Sequence, residues 1–442
     1  MKSFLAVCLT AFTVSLHAAV TTNQPSSLTL QQSLDLALKQ NPQILKAKEE
    51  IRHTYGIIVE ARAAALPQVT ASGQYGHEDK RNLDLPPQLK PTDNLQNPWL
   101  AQIEVSQLVY SGGRVNAAIR AAKLTDQIAV LTFQRVVADT ILAVRRNFYQ
   151  ILLDQQIVTV REESVKLLQR QLEDTQHRFD AGAVPKFNVL RAEVELANAK
   201  PSLIRAQNDL RLARESLVKL IAIDSPHTQA FTKITFDGKL LYEHRPCDLT
   251  VSLTEALKLR TELQQADKQV LLAAETIKNA QAGNKPELSL FANYGIHDYS
   301  YGNDIDQTHN GWMIGARATW NLFDGMATRG RVTQARAQRE QAAYDFADAQ
   351  RSIELEVRQA YADYLQALEL IEAQKKTVEQ ADESLRLAEA RFRAGSGTQL
   401  EVFSAQTALT EARSNEIQAL YSYNVAIANL DRVTGRTVKS TP

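Results

Sequence analysis

Two stretches of this chain run without a glycine or a proline for far longer than a globular helix requires. Residues 114–181 lie between Gly113 and Gly182 and number 68; residues 331–394 lie between Gly330 and Gly395 and number 64. Glycine and proline are the residues that interrupt helices, so each stretch reads as one helix, set at 114–181 and at 326–394. Sixty-eight helical residues extend ~100 Å at ~1.5 Å per residue, a length that points to a coiled coil, a span or a repeat. The apolar pattern agrees. Val137, Val144, Ile151, Val158, Val165, Leu172 and Phe179 recur every seven residues, and so do Val357, Tyr364, Ile371, Val378, Leu385 and Phe392. A sustained seven-residue period implies supercoiling against neighbouring helices. The companion positions Gln155, Glu162, Gln169 and Gln176 are polar, which fits neighbours on one side and water on another.

The chain is written twice. Arg178-Phe179-Asp180-Ala181-Gly182 returns 213 residues later as Arg391-Phe392-Arg393-Ala394-Gly395, and Gly112, Phe148 and Leu217 return as Gly325, Tyr361 and Leu430. Upstream the shift is 219: Ser33-Leu34 matches Ser252-Leu253 and Pro67 matches Pro286. The difference falls in one loop. This divides the chain into a first structural repeat at 20–222, a linker at 223–248, a second repeat at 249–435 and a tail at 436–442. A shorter helix follows each long one, about 185–222 and 397–433, and Pro201 predicts a kink or break in the first. Another precedes each half, about 33–65 and 252–282, with Asn41-Pro42 interrupting only the first. End to end, the two shorter helices match one long helix, with their junction beside the 223–248 segment.

Between the short and long helices the period changes to two. Residues 68–78, 99–110, 287–297 and 312–323 read as strands with one apolar and one polar side; Leu288, Leu290, Ala292, Tyr294 and Ile296 share a face, as do Trp312, Ile314, Ala316, Ala318, Trp320 and Leu322. The lengths suit ~9–11-residue membrane strands, and alternation suits a lipid face and a lumen face. All three tryptophans, Trp99, Trp312 and Trp320, fall in these runs, as an aromatic girdle requires. A soluble sheet with one wet face would alternate in the same way. Four strands cannot close a barrel, and open edges are not tolerated in lipid, so spanning strands demand oligomerisation. Three copies would give 12. The connecting loops, about 77–98 and 298–311, are polar, as outer loops should be.

Residues 1–19 (MKSFLAVCLTAFTVSLHAA) read as a secretory signal peptide: Lys2, an apolar run from Phe4 to Leu16, and small residues at the cut. Cys8 lies inside the apolar run, so the mature chain retains only Cys247 and forms no internal disulfide. No later run offers ~18 consecutive apolar residues, which excludes a helical anchor at this stage. The 50 basic and 50 acidic side chains cancel, which argues against a nucleic-acid binder.

Taken together these residues resemble the TolC-type outer-membrane efflux family over nearly the whole mature chain. The carriers are Ala37-Leu38 with Asn41-Pro42, Leu66-Pro67 and Lys285-Pro286 before strands, Gly112 and Gly325 after them, and the paired Arg-Phe-x-Ala-Gly tips. The resemblance implies a fold that is mainly α with a membrane β-barrel, a trimer forming a 12-strand β-barrel continued by a periplasmic α-helical barrel. It implies as partners a homotrimer, a periplasmic adaptor protein, an inner-membrane transporter and outer-membrane lipid. The tips, with Phe179, Gly182, Phe392 and Gly395, would dock the adaptor. Glu401, six residues past the second tip glycine, matches the family's lumenal carboxylate ring; the second acidic position is Ser404. The gate-equivalent positions are Asn188, Phe392 and Gly397, where the founding member has Asp, Tyr and Arg.

No HExxH, P-loop or GxSxG pattern occurs. His244 and Cys247 form an isolated HxxC without the four ligands zinc wants, and Asp304 and Asp306 lack the rest of an EF-hand. No cofactor, metal or catalytic set is expected. The sequence reads as a passive exit duct for a tripartite efflux or type I secretion system in the outer membrane, with a structural coiled-coil envelope protein as the alternative.

Overall fold

The computed structural model describes residues 27–77, 79, 99–223, 233–298 and 309–436. The signal peptide, most of both outer loops with Asp304 and Asp306, part of the linker and most of the C-terminal tail lie outside the described residues.

Helix starts follow their capping chemistry. Thr29 and Gln32 form a reciprocal capping box at the head of α1 (Leu30–Gln40). Asn41 then heads α2 (Pro42–Ala63), its Oδ1 accepting from the Gln43 and Ile44 amides at 2.8 and 3.3 Å, with Pro42 preset at the first turn. The strands β2 (Gln68–Tyr75) and β3 (Trp99–Tyr110) follow, then α3 (Arg114–Asp180) and α4 (Lys186–Ile221). The second copy repeats this with α5 (Leu249–Leu259), α6 (Thr261–Gln281), a 3-10 turn, β5 (Glu287–Asp298), β6 (His309–Thr319), α7 (Ala327–Arg393) and α8 (Gln399–Val433). Both long helices have 67 residues. A small parallel pair, β1 (Ser27–Leu28) with β4 (Thr235–Phe236), ties the start of the described chain to the linker.

The sheet runs β2-β3-β5-β6, antiparallel throughout. The helices are ordered the same way. Next to the sheet α2 touches α3, α3 touches α6 and α6 touches α7; toward the turns α4 touches α3, α3 touches α8 and α8 touches α7. One flank is therefore β2 with α2 and α4, and the other is β6 with α7. The core is strung along this sheet of helices as separate clusters. The largest, with Leu28, Val144, Phe148, Ile151, Leu217, Ile221 and Phe236, sits where α1, α3, α4 and the linker meet. Smaller ones lie along α7 and α8. Each such buried side chain contributes ~1.5–3 kcal/mol.

Four expectations change. Pro201 does not break α4, which runs through it as one helix. Pro201 removes one amide, but both it and Ala197, whose carbonyl loses its partner, are exposed to water. The 252–282 helix is two helices, parted at Arg260 (φ −62°, ψ 122°) as α1 and α2 are parted at Asn41 (φ −58°, ψ 124°). The last strand is His309–Thr319 rather than 312–323. The chain leaves the ladder at Trp320, whose indole N–H instead donates to the Asn284 carbonyl at 3.1 Å. Finally, a segment of α3 is long and apolar enough to cross a membrane by composition. That helix is the central one, touched by α1, α2, α4, α6 and α8, although only 28% of the apolar window is buried within the protomer.

Candidate functional site

Each hairpin turn is a glycine-closed helix end. At the first, Gly182 takes φ 72°, its amide donates to Phe179 O at 2.8 Å and the Ala183 amide to Arg178 O at 2.8 Å. At the second, Gly395 takes φ 74°, with Gly395 N to Phe392 O at 3.1 Å and Ser396 N to Arg391 O at 3.0 Å. Both are Schellman closures, which need a residue at ease with positive φ.

The tips are tied together by side chains the sequence did not single out. Arg178 lies over the Phe392 ring at 5.4 Å and meets Asp174 at 3.1 Å. Buried Gln399 donates to Thr175 Oγ1 at 3.2 Å, and Gln406 to Ser164 O at 3.4 Å. Arg413 bridges Glu163 on α3 and Asp382 on α7, each at 3.4 Å. The only signal for any of them was the repeated arginine at 178 and 391.

Glu401 sits in the first turn of α8, its amide capped by Thr398 Oγ1 at 3.3 Å. Its carboxylate lies 3.4 Å from Arg391. The two close one side of an open groove of about 1010 Å³ between α7 and α8, floored by Ala388, Ala405 and Ala408 and rimmed by Glu379 and Glu383. Of the gate-equivalent positions, Phe392 is engaged by Arg178, and Gly397 is pressed against the preceding helix end, where a Cβ would meet Arg391 Cβ at 3.0 Å. Asn188 is half-buried, its amide donating to Pro185 O at 3.0 Å.

At the other end, register sorts the sheet into two faces. Val69, Val105, Ala292 and Ile314 lie side by side across all four strands, and so do Ala71, Ile103, Tyr294 and Trp312. The adjacent row on the opposite face is Thr70, Glu104, Asn293 and Met313. The apolar side is the more exposed: Ala101, Ile103 and Val105 are open to solvent, whereas Gln102, Glu104 and Ser106 are half-buried among one another. A sheet that crowds its polar face and opens its apolar one is curled with polar residues inside. Exposed apolar side chains across four strands, with Trp312 at 75% and Ile314 at 71%, have no place in water and suit lipid. Trp99 pairs with Tyr75 at the far end of the sheet, and Trp320 lies at the end next to the helices.

The family profile described as "Outer membrane efflux protein" matches residues 33–222 and 252–436, one block per repeat. The chain belongs to the outer membrane efflux protein family. Its place is the outer membrane, where it serves as an exit channel for efflux or type I secretion. The efflux protein is 25% identical over 420 residues to Outer membrane protein TolC of Escherichia coli, covering 92% of this chain and 82% of that one. Its fold is similar to a membrane protein from Pseudomonas aeruginosa (TM-score 0.80, 19% identity, 92% and 90% of the two chains). It is also similar to the CmeC outer membrane channel of Campylobacter jejuni (TM-score 0.78, 16% identity, 92% and 85%).

Proposed function

We propose that three copies of this efflux protein close into one duct, a 12-strand barrel continued by a helical barrel through the periplasm. It would receive cargo from an inner-membrane transporter through a periplasmic adaptor. The observation that carries this reading is the agreement of the flanks. Among the described residues strands β2 and β6 are both unpaired on their outer sides, and in lipid such edges must be satisfied. The helices beneath them carry most of the exposed apolar side chains of the helical part: Leu45, Tyr55 and Val59 on α2, Phe187, Leu190, Val194, Ile204 and Leu212 on α4, and Tyr344, Leu355, Leu365, Leu370 and Leu387 on α7. Central α3, just as long as α7, exposes only Val130 in this class. Joining β6/α7 of one copy to β2/α2/α4 of the next covers both flanks at once.

In that assembly Trp99, Trp312 and Trp320 belong to the interfacial girdle. The tip residues Phe179, Gly182, Phe392 and Gly395 face the adaptor. Glu401 lines the narrow periplasmic end, where its pairing with Arg391 makes the ring one of three carboxylate–guanidinium pairs. The chain's own chemistry supplies no energy source, so transport is driven by the partner. A structural coiled-coil protein would share the long helices but has no use for a lipid-facing apolar sheet. Planar-bilayer recording tests the duct: purified protein should insert and give stable, long-lived conductance steps. Protein that inserts and folds without conducting would overturn it.

A further inference from the structure

We propose that Arg317 and Phe291 form a ligand site on the wall of the barrel lumen that takes aromatic carboxylates. The site rests on the reading of the polar face as a lumen.

Strands β5 and β6 pair so that Phe291 opposes Gly315 and Ser289 opposes Arg317, all on the polar, inward-curled face. A Cβ placed on Gly315 would lie 2.7 Å from Phe291 Cζ and 2.9 Å from Cε1. The phenyl ring therefore lies across the β6 backbone at a point where only glycine admits it. Glycine inside a strand weakens the strand, and its presence marks a close approach. What the approach achieves is visible two residues on: the Arg317 guanidinium stands over that ring, 5.2 Å from its centroid. A phenyl ring on a polar lumenal wall is out of place for solvation alone, and a guanidinium resting on one is held in a fixed plane.

That cation is not used up within the protomer. The acidic side chain nearest in register on the same face, Glu287, is paired with Arg114 at 2.8 Å. Among the described residues Arg317 has no carboxylate partner, its recorded side-chain contact being Phe291. One face of the guanidinium is covered by Phe291, and the side chain is otherwise exposed on the face read as the lumen. The N–H edge fits a carboxylate through two parallel hydrogen bonds, and the outer face fits a second aromatic ring. A solute carrying both groups extends the existing stack by one layer. Three such sites at one level of a water-filled lumen also raise the local concentration of anions.

The test uses the full-length trimer in planar bilayers, with 2-naphthoate as probe and neutral 2-naphthol as its control. The site predicts brief, concentration-dependent interruptions of the current by 2-naphthoate and none by 2-naphthol. Arg317→Gln should weaken that block about tenfold, the loss of a charge-assisted hydrogen-bonding partner. It should also move the reversal potential in a potassium chloride gradient toward cation preference. Arg317→Lys should keep the reversal potential but lose most of the block, since a point charge has no fork. Phe291→Leu, which leaves the charge in place, should weaken the block alone. A conducting wild type with no block, or with block unchanged in Arg317→Gln and Phe291→Leu, overturns the site and leaves the duct standing. A folded wild type that never conducts overturns both.

Discussion

The two tips share the Arg-Phe-x-Ala-Gly closure but differ at several positions around it, and two of the differences give the equivalent arginines different partners: Asp174 of the first tip is Leu387 in the second, and Asn188 is Glu401. Asn188 and Glu401 are equivalent across the 213-residue shift, as are Arg178 and Arg391. In the second tip Arg391 finds Glu401 at 3.4 Å; in the first Asn188 offers no charge, and Arg178 turns to Asp174 and the Phe392 ring. In the proposed trimer, Glu401→Gln would free Arg391 and remove three negative charges from the narrow periplasmic end. Bilayer recordings should show reduced cation preference and weaker block by multivalent cations, with the trimer unchanged; unaltered selectivity would take Glu401 off the pathway. A second contrast lies at the start of the long helices. The residue before α3 is Gly113 (φ 93°) and the residue before α7 is Met326 (φ 72°), so methionine holds a left-handed backbone that costs ~1 kcal/mol. Met326→Gly should raise the thermal midpoint in detergent, and a lowered midpoint would refute the strain. Asp154 gives a pH dependence. Burial, opposed by the Gln150 amide and reinforced by Asp209, raises its pKa from 3.8 to about 6. Its contribution to stability is thus complete below about pH 3.8 and gone above about pH 6. Asp154→Asn should stabilise the protein at pH 7 by about 1 kcal/mol after discounting for solvent screening, and by nothing at pH 4. The glycine closures were legible because they are written into short spacings, whereas Glu401 was singled out only by the family resemblance. Arg178 over Phe392 was not legible, because its partner lies more than two hundred residues away in the chain.

At the scale of elements, the helix joints show the repeat reaching one result through two chemistries. Asn41 donates to Leu220 O at 2.8 Å, and Arg260 donates to Val433 O at 3.4 Å. These are the same position of each repeat clamping the last turn of α4 or α8. The Asn41-Pro42 break was readable because proline announces itself; the Arg260 break was not, because a charged residue flanked by helix formers carries no stop signal. It is made by partners instead. Arg260, only 4% exposed, meets Glu262 at 2.9 Å and Glu356 at 2.8 Å, and Arg432 adds contacts to Glu262, Glu356 and Asp139. Burial would push Arg260 toward losing its proton, but the two carboxylates outweigh it and hold it charged. Arg260→Ala should cost about 1–3 kcal/mol by removing a buried side chain, its bond to the last turn of α8 and its two ion pairs, whereas Arg260→Asn, which copies the first repeat's cap, should cost less. Denaturant melts of the two variants decide this, and equal losses would count against the shared clamp. Next to this joint, the 241–245 segment is strapped across α7 and α8 by alternate carbonyls: Asn424 bonds Leu241 O, Tyr423 bonds Glu243 O and Tyr364 bonds Arg245 O. Such long-range hooks were invisible to periodicity, which reports only what a helix does with its own neighbours.

At the scale of the whole molecule, one protomer is an incomplete object. Its layers share one order and expose apolar residues on both flanks, and its sheet has an apolar outside that only lipid suits. The duplication, the long helices and the two-faced strands were all readable, since each is a period in the sequence. The proposed closure rests on a necessity, the count of four strands against the number a barrel needs. Nothing local encodes which flank meets which. That information lies in the exposed side chains of α2, α4 and α7, which look like ordinary surface residues until the fold places them on two edges. The central claim is that the unit of function is three chains. Its most direct test is the mass of the detergent-solubilised mature protein by light scattering, with detergent subtracted, alongside circular dichroism. The account predicts a particle of three chains with high helical content that resists dissociation. A stable, fully helical monomer would contradict it.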